Sequence, residues 1–215
     1  CSLKPHEDRY VMTAEIHYDE KTQMSKCFLY PAIIQSKKRA TYEEVQAYLD
    51  GDGGDFDSDT KKSLDTMHEL ALKLVKQADD RGGLGFDFPE AEVIFDMHGK
   101  VETIQKAQRF FAHKLIEVFM IAANVATAQY LSMHCAPALY RIHDKPNEFK
   151  VSSFLSMLKN IGITTKGKKF DPAVFFNEVK GKPIAHHLQS VFLRSLKQAF
   201  YSDDNLGHYG LQLKE

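Results

Sequence analysis

Glu117 and Asn124 are seven residues apart in a mostly apolar run, Ala112-His113-Lys114-Leu115-Ile116-Glu117-Val118-Phe119-Met120-Ile121-Ala122-Ala123-Asn124. Two helical turns separate them, so a helix here carries both on nearly one side. Polar groups set among apolar neighbours need partners. The pair is therefore expected to be buried or half-buried, facing a site or a polar network beside one. His113 precedes Glu117 by one turn, and the two could share a metal ion. No His-Glu-x-x-His pattern supports that, and a hydrogen-bonded pair near a helix surface is the simpler reading.

A second kind of chemistry is stacking. Tyr42 follows the basic run Lys37-Lys38-Arg39, and Phe86 follows the pair Gly82-Gly83. Single-stranded nucleic acid is held without sequence preference by aromatic faces in a basic channel. By sequence alone the core is the simpler reading for either ring. Another basic run lies at Lys166 with Lys168-Lys169, and solvated loop charge accounts for either run alone. The run Tyr140-Arg141-Ile142-His143-Asp144-Lys145-Pro146 adds Arg141 and His143 as candidates.

Several chemistries are excluded. The acidic run Asp50 to Asp59 resembles a calcium loop only superficially. Counted from Asp50, the sixth residue is Asp55 and the twelfth Lys61, where an EF-hand needs Gly and Glu. A solvated loop is expected. His186-His187 has no third ligand within reach by sequence. Gly53-Gly54 and Gly82-Gly83 lack the Lys-Ser/Thr of a phosphate loop, and no Ser-His-Asp or Cys-His set can be assembled.

Composition sets the frame. Of 215 residues 43% are hydrophobic, with 15 Phe, which is enough for a real core. Charged content of 27% and mean hydropathy of −0.37 predict a soluble domain. No stretch approaches the length of apolar sequence that spans a bilayer, so no membrane partner is expected. Three scattered cysteines argue against a disulfide framework or a zinc site, and for a reducing cytoplasm. Net charge of −1 gives no general sign of a nucleic-acid binder.

The elements that must position these residues follow from local signals. Strands are predicted from about Tyr10 to Tyr18 and Lys26 to Gln35, turning at Asp19 to Thr22. Thr41 and Glu44 form a capping box for a short helix to about Leu49. A long helix is predicted from Asp59 to Asp80, ended by Gly82-Gly83. A hairpin of Glu92 to Phe95 and Lys100 to Gln105 turns at His98-Gly99. The longest helix runs from Arg109 to Met133, and a short strand covers Ala138 to Ile142. Asn147 caps a helix to Asn160, with Gly162 as its stop. Asp171-Pro172 is a cap-and-first-turn pair. A last helix is expected from Pro183 to Phe200, then an extended run from His208 to Leu213. Strands first and helices later predict α+β, with mixed antiparallel strands and several flanking helices.

Five sets of residues, in order, then carry a resemblance: Cys1-Ser2-Leu3-Lys4-Pro5 with Asp8-Arg9; Arg39-Ala40-Thr41-Tyr42; Arg81-Gly82-Gly83-Leu84-Gly85-Phe86; the Ala112–Asn124 run with Tyr140–Pro146; and His208-Tyr209-Gly210-Leu211. Together they resemble the catalytic domain of the RNB exoribonucleases, the ribonuclease II/ribonuclease R family, on the ribonuclease R side.

The resemblance implies hydrolysis of single-stranded RNA from the 3′ end, one 5′-mononucleotide at a time, with Mg2+ held by aspartates. It implies that Tyr42 positions nucleotides near the scissile end and that Phe86 clamps the outer end of the buried segment. Glu117 corresponds to a helix glutamate near the active site. Arg141, His143 and Asn124 fall on motif positions, with Arg141 suited to a phosphate and Asn124 to anchoring the helix. The family's aspartate cluster would precede Cys1, and its Thr-Ser-Pro-Ile-Arg-Arg-Tyr stretch would follow Glu215. Residues 1–215 are thus expected to be a single partial RNB catalytic domain, truncated at both ends. Such a chain is expected to bind no metal, to be inactive alone and to self-associate through edges exposed by truncation. A non-catalytic RNA-binding or interaction module of the same fold is the alternative.

Overall fold

The computed structural model describes residues 2–86, 90–134, 137–165 and 170–213. They form two compact units, residues 1–77 with 108–136 and residues 78–107 with 137–215. Cys27 is a half-buried free thiol; Cys1 and Cys135, and the basic run Lys166, Lys168 and Lys169, lie outside the described residues.

The first unit opens with a long antiparallel hairpin, β1 (Asp8–Tyr18) and β2 (Met24–Gln35). Asp19 closes its turn by accepting the backbone N–H groups of Lys21 and Gln23. Helix α1 (Tyr42–Leu49) starts at the predicted capping box. Thr41 Oγ1 accepts the Glu44 N–H at 3.2 Å, and the Glu44 carboxylate accepts the Thr41 N–H at 2.7 Å.

Helix α2 (Ser58–Asp80) and helix α3 (Phe111–Met133) pack through Ala71, Leu115 and Val118, with Met67, Leu74 and Phe119 around them. The acidic loop before α2 is anchored by Phe56, which is buried against Tyr48. Lys38 sits 4.3 Å over the Phe56 ring and donates to the Asp55 carbonyl. One cation of the Lys37-Lys38-Arg39 run is thus committed to holding this loop.

Two expectations about the apolar run change here. Helix α3 has 23 residues and a mean hydropathy of 1.3 over its most apolar stretch, so by length and composition it could cross a membrane. It keeps Ala112, Leu115, Val118 and Ala126 buried in the protein and carries an ion-paired Glu117, while 17% of its most apolar stretch is buried. Asn124 is exposed, not buried, while Glu117 is half-buried. Met120, one turn before Asn124 on the same face, is itself 59% exposed, so that face is open.

The second unit holds the hairpin β3 (Ala91–Phe95) and β4 (Val101–Lys106), then β5 (Tyr140–Ile142), α4 (Glu148–Asn160), α5 (Pro172–Val179), α6 (Ala185–Leu193) and β6 (Phe200–Ser202). Asn147 and Asp171 cap α4 and α5 as expected, each accepting two backbone N–H groups. Gly82, at φ +81°, ends α2, a conformation that favours glycine.

The core of this unit is a phenylalanine cluster in which Phe154, Phe175 and Phe176 surround a fully buried Phe192. Burying one such ring contributes about 1.5–3 kcal/mol.

The last helix is shorter than its sequence suggests. Its apolar spacing of Ala185, Leu188 and Phe192 runs out, and Ser195 turns the chain by donating both its N–H and its hydroxyl to the Phe192 carbonyl. Phe200 to Ser202 then pairs antiparallel with β5. The run from His208 to Leu213 is likewise no strand. It is a 3-10 turn, Tyr209–Leu211, capped by His208 Nδ1, which accepts the Leu211 N–H at 3.2 Å.

Candidate RNA-binding site

In the first unit the candidate residues gather where α1 and α3 begin. Tyr42 is the first residue of α1 and is 43% exposed. Its ring lies flat on His113, with centroids 3.9 Å apart and planes 20° apart. His113 occupies the third position of α3. Its Nδ1 accepts the backbone N–H of Phe110 at 3.1 Å, serving as the side-chain cap that Phe110 cannot supply. A nitrogen that accepts carries no proton, so the neutral ring bears its proton on Nε2. Gln46 Oε1 accepts the Ala112 N–H at 3.1 Å and ties α1 to the same helix start.

Glu117 does not bond His113. Its two carboxylate oxygens take Arg109 at 2.6 Å and Lys114 at 2.8 Å. Glu43 lies beside Tyr42. Its own backbone N–H and the Thr41 hydroxyl hold its carboxyl below the usual value. Arg39, just before α1, is exposed. The arrangement offers a partly exposed aromatic ring whose stacking partner, His113, lies one turn before the ion-paired Glu117. That suits a base and its phosphates better than a metal ion. Among the described residues no group of three or more His, Cys, Asp or Glu could hold a metal.

In the second unit Phe86 is half-buried. It meets Phe176 edge-on at 4.9 Å and Phe192 at 6.3 Å. Its ring is therefore seated on the core cluster and not free-standing. Arg141 is exposed on β5, with its guanidinium 5.6 Å over Tyr201, its partner across the strand pair. His143 is bound into the 3-10 turn. It donates its N–H to Gly207, accepts from Tyr209 at its carbonyl, and accepts the Gly210 N–H at Nδ1. Its Nε2 is buried and has no hydrogen-bond partner among the described residues. His208 faces it edge-on at 5.0 Å, and burial, followed by the nearby His143 and Arg141, holds the His208 imidazole below its ordinary pKa.

The fold thus brings Tyr42 and Glu117 into one neighbourhood and joins Arg141 and His143 to the same strand and turn. Asn124 lies two turns further along α3 than Glu117, exposed. His113 and Arg109 carry more of the first site than their sequence signal suggests.

The RNB domain family matches this chain over residues 1–215. The chain belongs to the RNB family. Ribonuclease R of Escherichia coli K12 is 38% identical over the whole chain, which spans 27% of that protein. A solved structure of Mycoplasma genitalium RNase R in complex with ribose-methylated single-stranded RNA has a TM-score of 0.94 at 28% identity. It covers all of this chain, which spans 34% of that one. The same RNase R in complex with double-stranded RNA superposes with a TM-score of 0.93. This RNB chain therefore spans about a quarter to a third of the length of these relatives, and its α+β fold is the one they carry.

Proposed function

We propose that this chain is an RNA-holding part of a hydrolytic, metal-dependent 3′-to-5′ exoribonuclease that releases 5′-mononucleotides from single-stranded RNA. The observation that carries the reading is the 43% exposed ring of Tyr42, stacked on His113 at the start of the helix on which Glu117 holds Arg109 and Lys114, with the exposed Arg39 just before it in sequence. It stands at a family motif position in a chain that superposes on an RNase R described with single-stranded RNA. Base stacking with cationic neighbours holds a single strand without reading its sequence.

In this reading Tyr42 stacks the nucleotide near the scissile end, Phe86 closes the outer end, and Arg141 takes a phosphate. Asn124 anchors α3, and His143 fixes the turn that follows Gly207. Residues 1–215 act as one partial catalytic domain, working in the cytoplasm and not on a membrane.

A divalent ion, Mg2+ by the resemblance, supplies charge neutralisation and an activated water when bound. The residues described here do not fit it. Both oxygens of Glu117 are engaged by cations, and no other acidic cluster converges. We therefore assign the metal to aspartates outside these residues and derive no step through it.

The same ion pairs favour a second reading, a non-catalytic RNA-binding module of this fold. Magnesium-dependent assay of the longest protein encoded with this chain separates the two. Stepwise shortening of a single-stranded oligonucleotide supports the nuclease, and binding without shortening supports the module. Magnesium-dependent shortening by the 215 residues alone would overturn their inactivity.

A further inference from the structure

We propose that His113 is a positioning residue that holds the Tyr42 ring ready to stack on a nucleotide. The inference rests on the RNA reading of Tyr42 and extends it to a residue with no such role assigned. A tyrosine on the first turn of an eight-residue helix has few neighbours to fix its two side-chain torsions. Here one face of the ring is covered by the near-parallel imidazole of His113 at 3.9 Å.

His113 is itself fixed twice. Its Nδ1 accepts the Phe110 N–H, and its ring lies near-parallel to that of Phe110, at 5.6 Å and 21°. Three rings from two distant segments are thus ordered before any ligand arrives. A ring already held in its binding pose loses less freedom when a base stacks on it. The histidine also joins the ring stack to the start of α3, where Glu117 holds Arg109 and Lys114. A shift of His113 would change the spacing between the stacking face and the cations.

Two variants separate ring from cap. His113→Gln keeps an acceptor for the Phe110 N–H, because glutamine serves at the third helical position of a capping box, but removes the ring. His113→Phe keeps the ring and removes the acceptor. The probe is a short single-stranded oligoribonucleotide with 2-aminopurine at its 3′ end, read by anisotropy for affinity and by quenching for stacking. His113→Gln is expected to melt close to the parent yet bind about three- to tenfold more weakly, with reduced quenching. His113→Phe is expected to retain most of the quenching.

If His113→Gln binds and quenches like the parent while Tyr42→Ala loses both, His113 has no positioning role and the reading of Tyr42 stands. If the parent itself shows no quenching, the reading of Tyr42 fails and this inference fails with it. Should His113→Gln not fold, His113→Phe decides. Quenching near the parent supports the ring stack, and quenching at the level of Tyr42→Ala overturns it.

Discussion

Glu117 bridges Arg109 and Lys114 at the start of α3, with one carboxylate oxygen on each cation. Its helix position suggests a group facing a site or a polar network beside one. The structure makes it the counter-ion of two groups suited to phosphate. Exposed pairs of this kind contribute little to stability, about 0.2–1 kcal/mol. Their effect should appear in binding. Glu117→Gln is expected to leave the melting temperature nearly unchanged and to release Lys114 for RNA. Each phosphate neutralised on a single strand adds about 0.7 to the salt slope, so the plot of log affinity against log salt should steepen by about that amount. Affinity titrations across a salt series check this. An unchanged slope would mean that Lys114 does not reach RNA.

Phe192 is fully buried in the phenylalanine cluster of the second unit. Replacing it with alanine opens a cavity among Phe154, Phe175 and Phe176. Phe192→Ala is expected to cost about 3–5 kcal/mol, measured by denaturant unfolding. Phe86 packs on the same cluster, so the variant should also disturb any RNA contact made there. A loss under 1 kcal/mol, on the order of a surface change, would contradict the packing described.

His208 gives the second unit a pH dependence of known sign. Burial, His143 and Arg141 all disfavour its charged form, which places its folded pKa below the ordinary histidine value. As pH falls, the unfolded chain takes the proton first. The stability present above about pH 6.5 is therefore lost as pH falls through the lowered folded value. His208→Asn keeps an acceptor for the Leu211 N–H without titrating. Thermal unfolding from about pH 7 to about pH 5 should fall less steeply in this variant than in the parent, and equal slopes would remove His208 as the cause.

Tyr10 and Ile33 are direct cross-strand partners and are 89% and 60% exposed, with Met12 beside them at 73%. An apolar patch on a two-stranded hairpin is open to pairing with another surface. The 215-residue chain is expected to self-associate as its concentration rises, and Tyr10→Lys combined with Ile33→Lys to shift it toward monomer. Light scattering over a concentration series reads both. A parent that stays monomeric throughout would contradict the expectation.

What was legible in the sequence was mostly local. The Thr41–Glu44 box, the Asn147 and Asp171 caps and the stop at Gly82 depend on neighbours within a few residues, and the structure has each of them. The relations that shape the candidate site are not local. Tyr42 on His113, His143 against His208 and β6 on β5 join residues dozens of positions apart. No periodicity in one segment reports such pairings. The end of the last helix was misread because Phe200 and Tyr201 continue an apolar composition while pairing as a strand. The exposure of Asn124 is not legible because apolar residues on its own face, such as Met120 one turn before it, are themselves exposed.

The most direct test of the account is to mix the pure 215-residue chain with a 5′-labelled single-stranded oligoribonucleotide in magnesium, following binding and length together. The account predicts binding without shortening, weakened by about 1–3 kcal/mol in Tyr42→Ala and retained in Tyr42→Phe. Shortening by the chain alone, or binding indifferent to Tyr42, would contradict it.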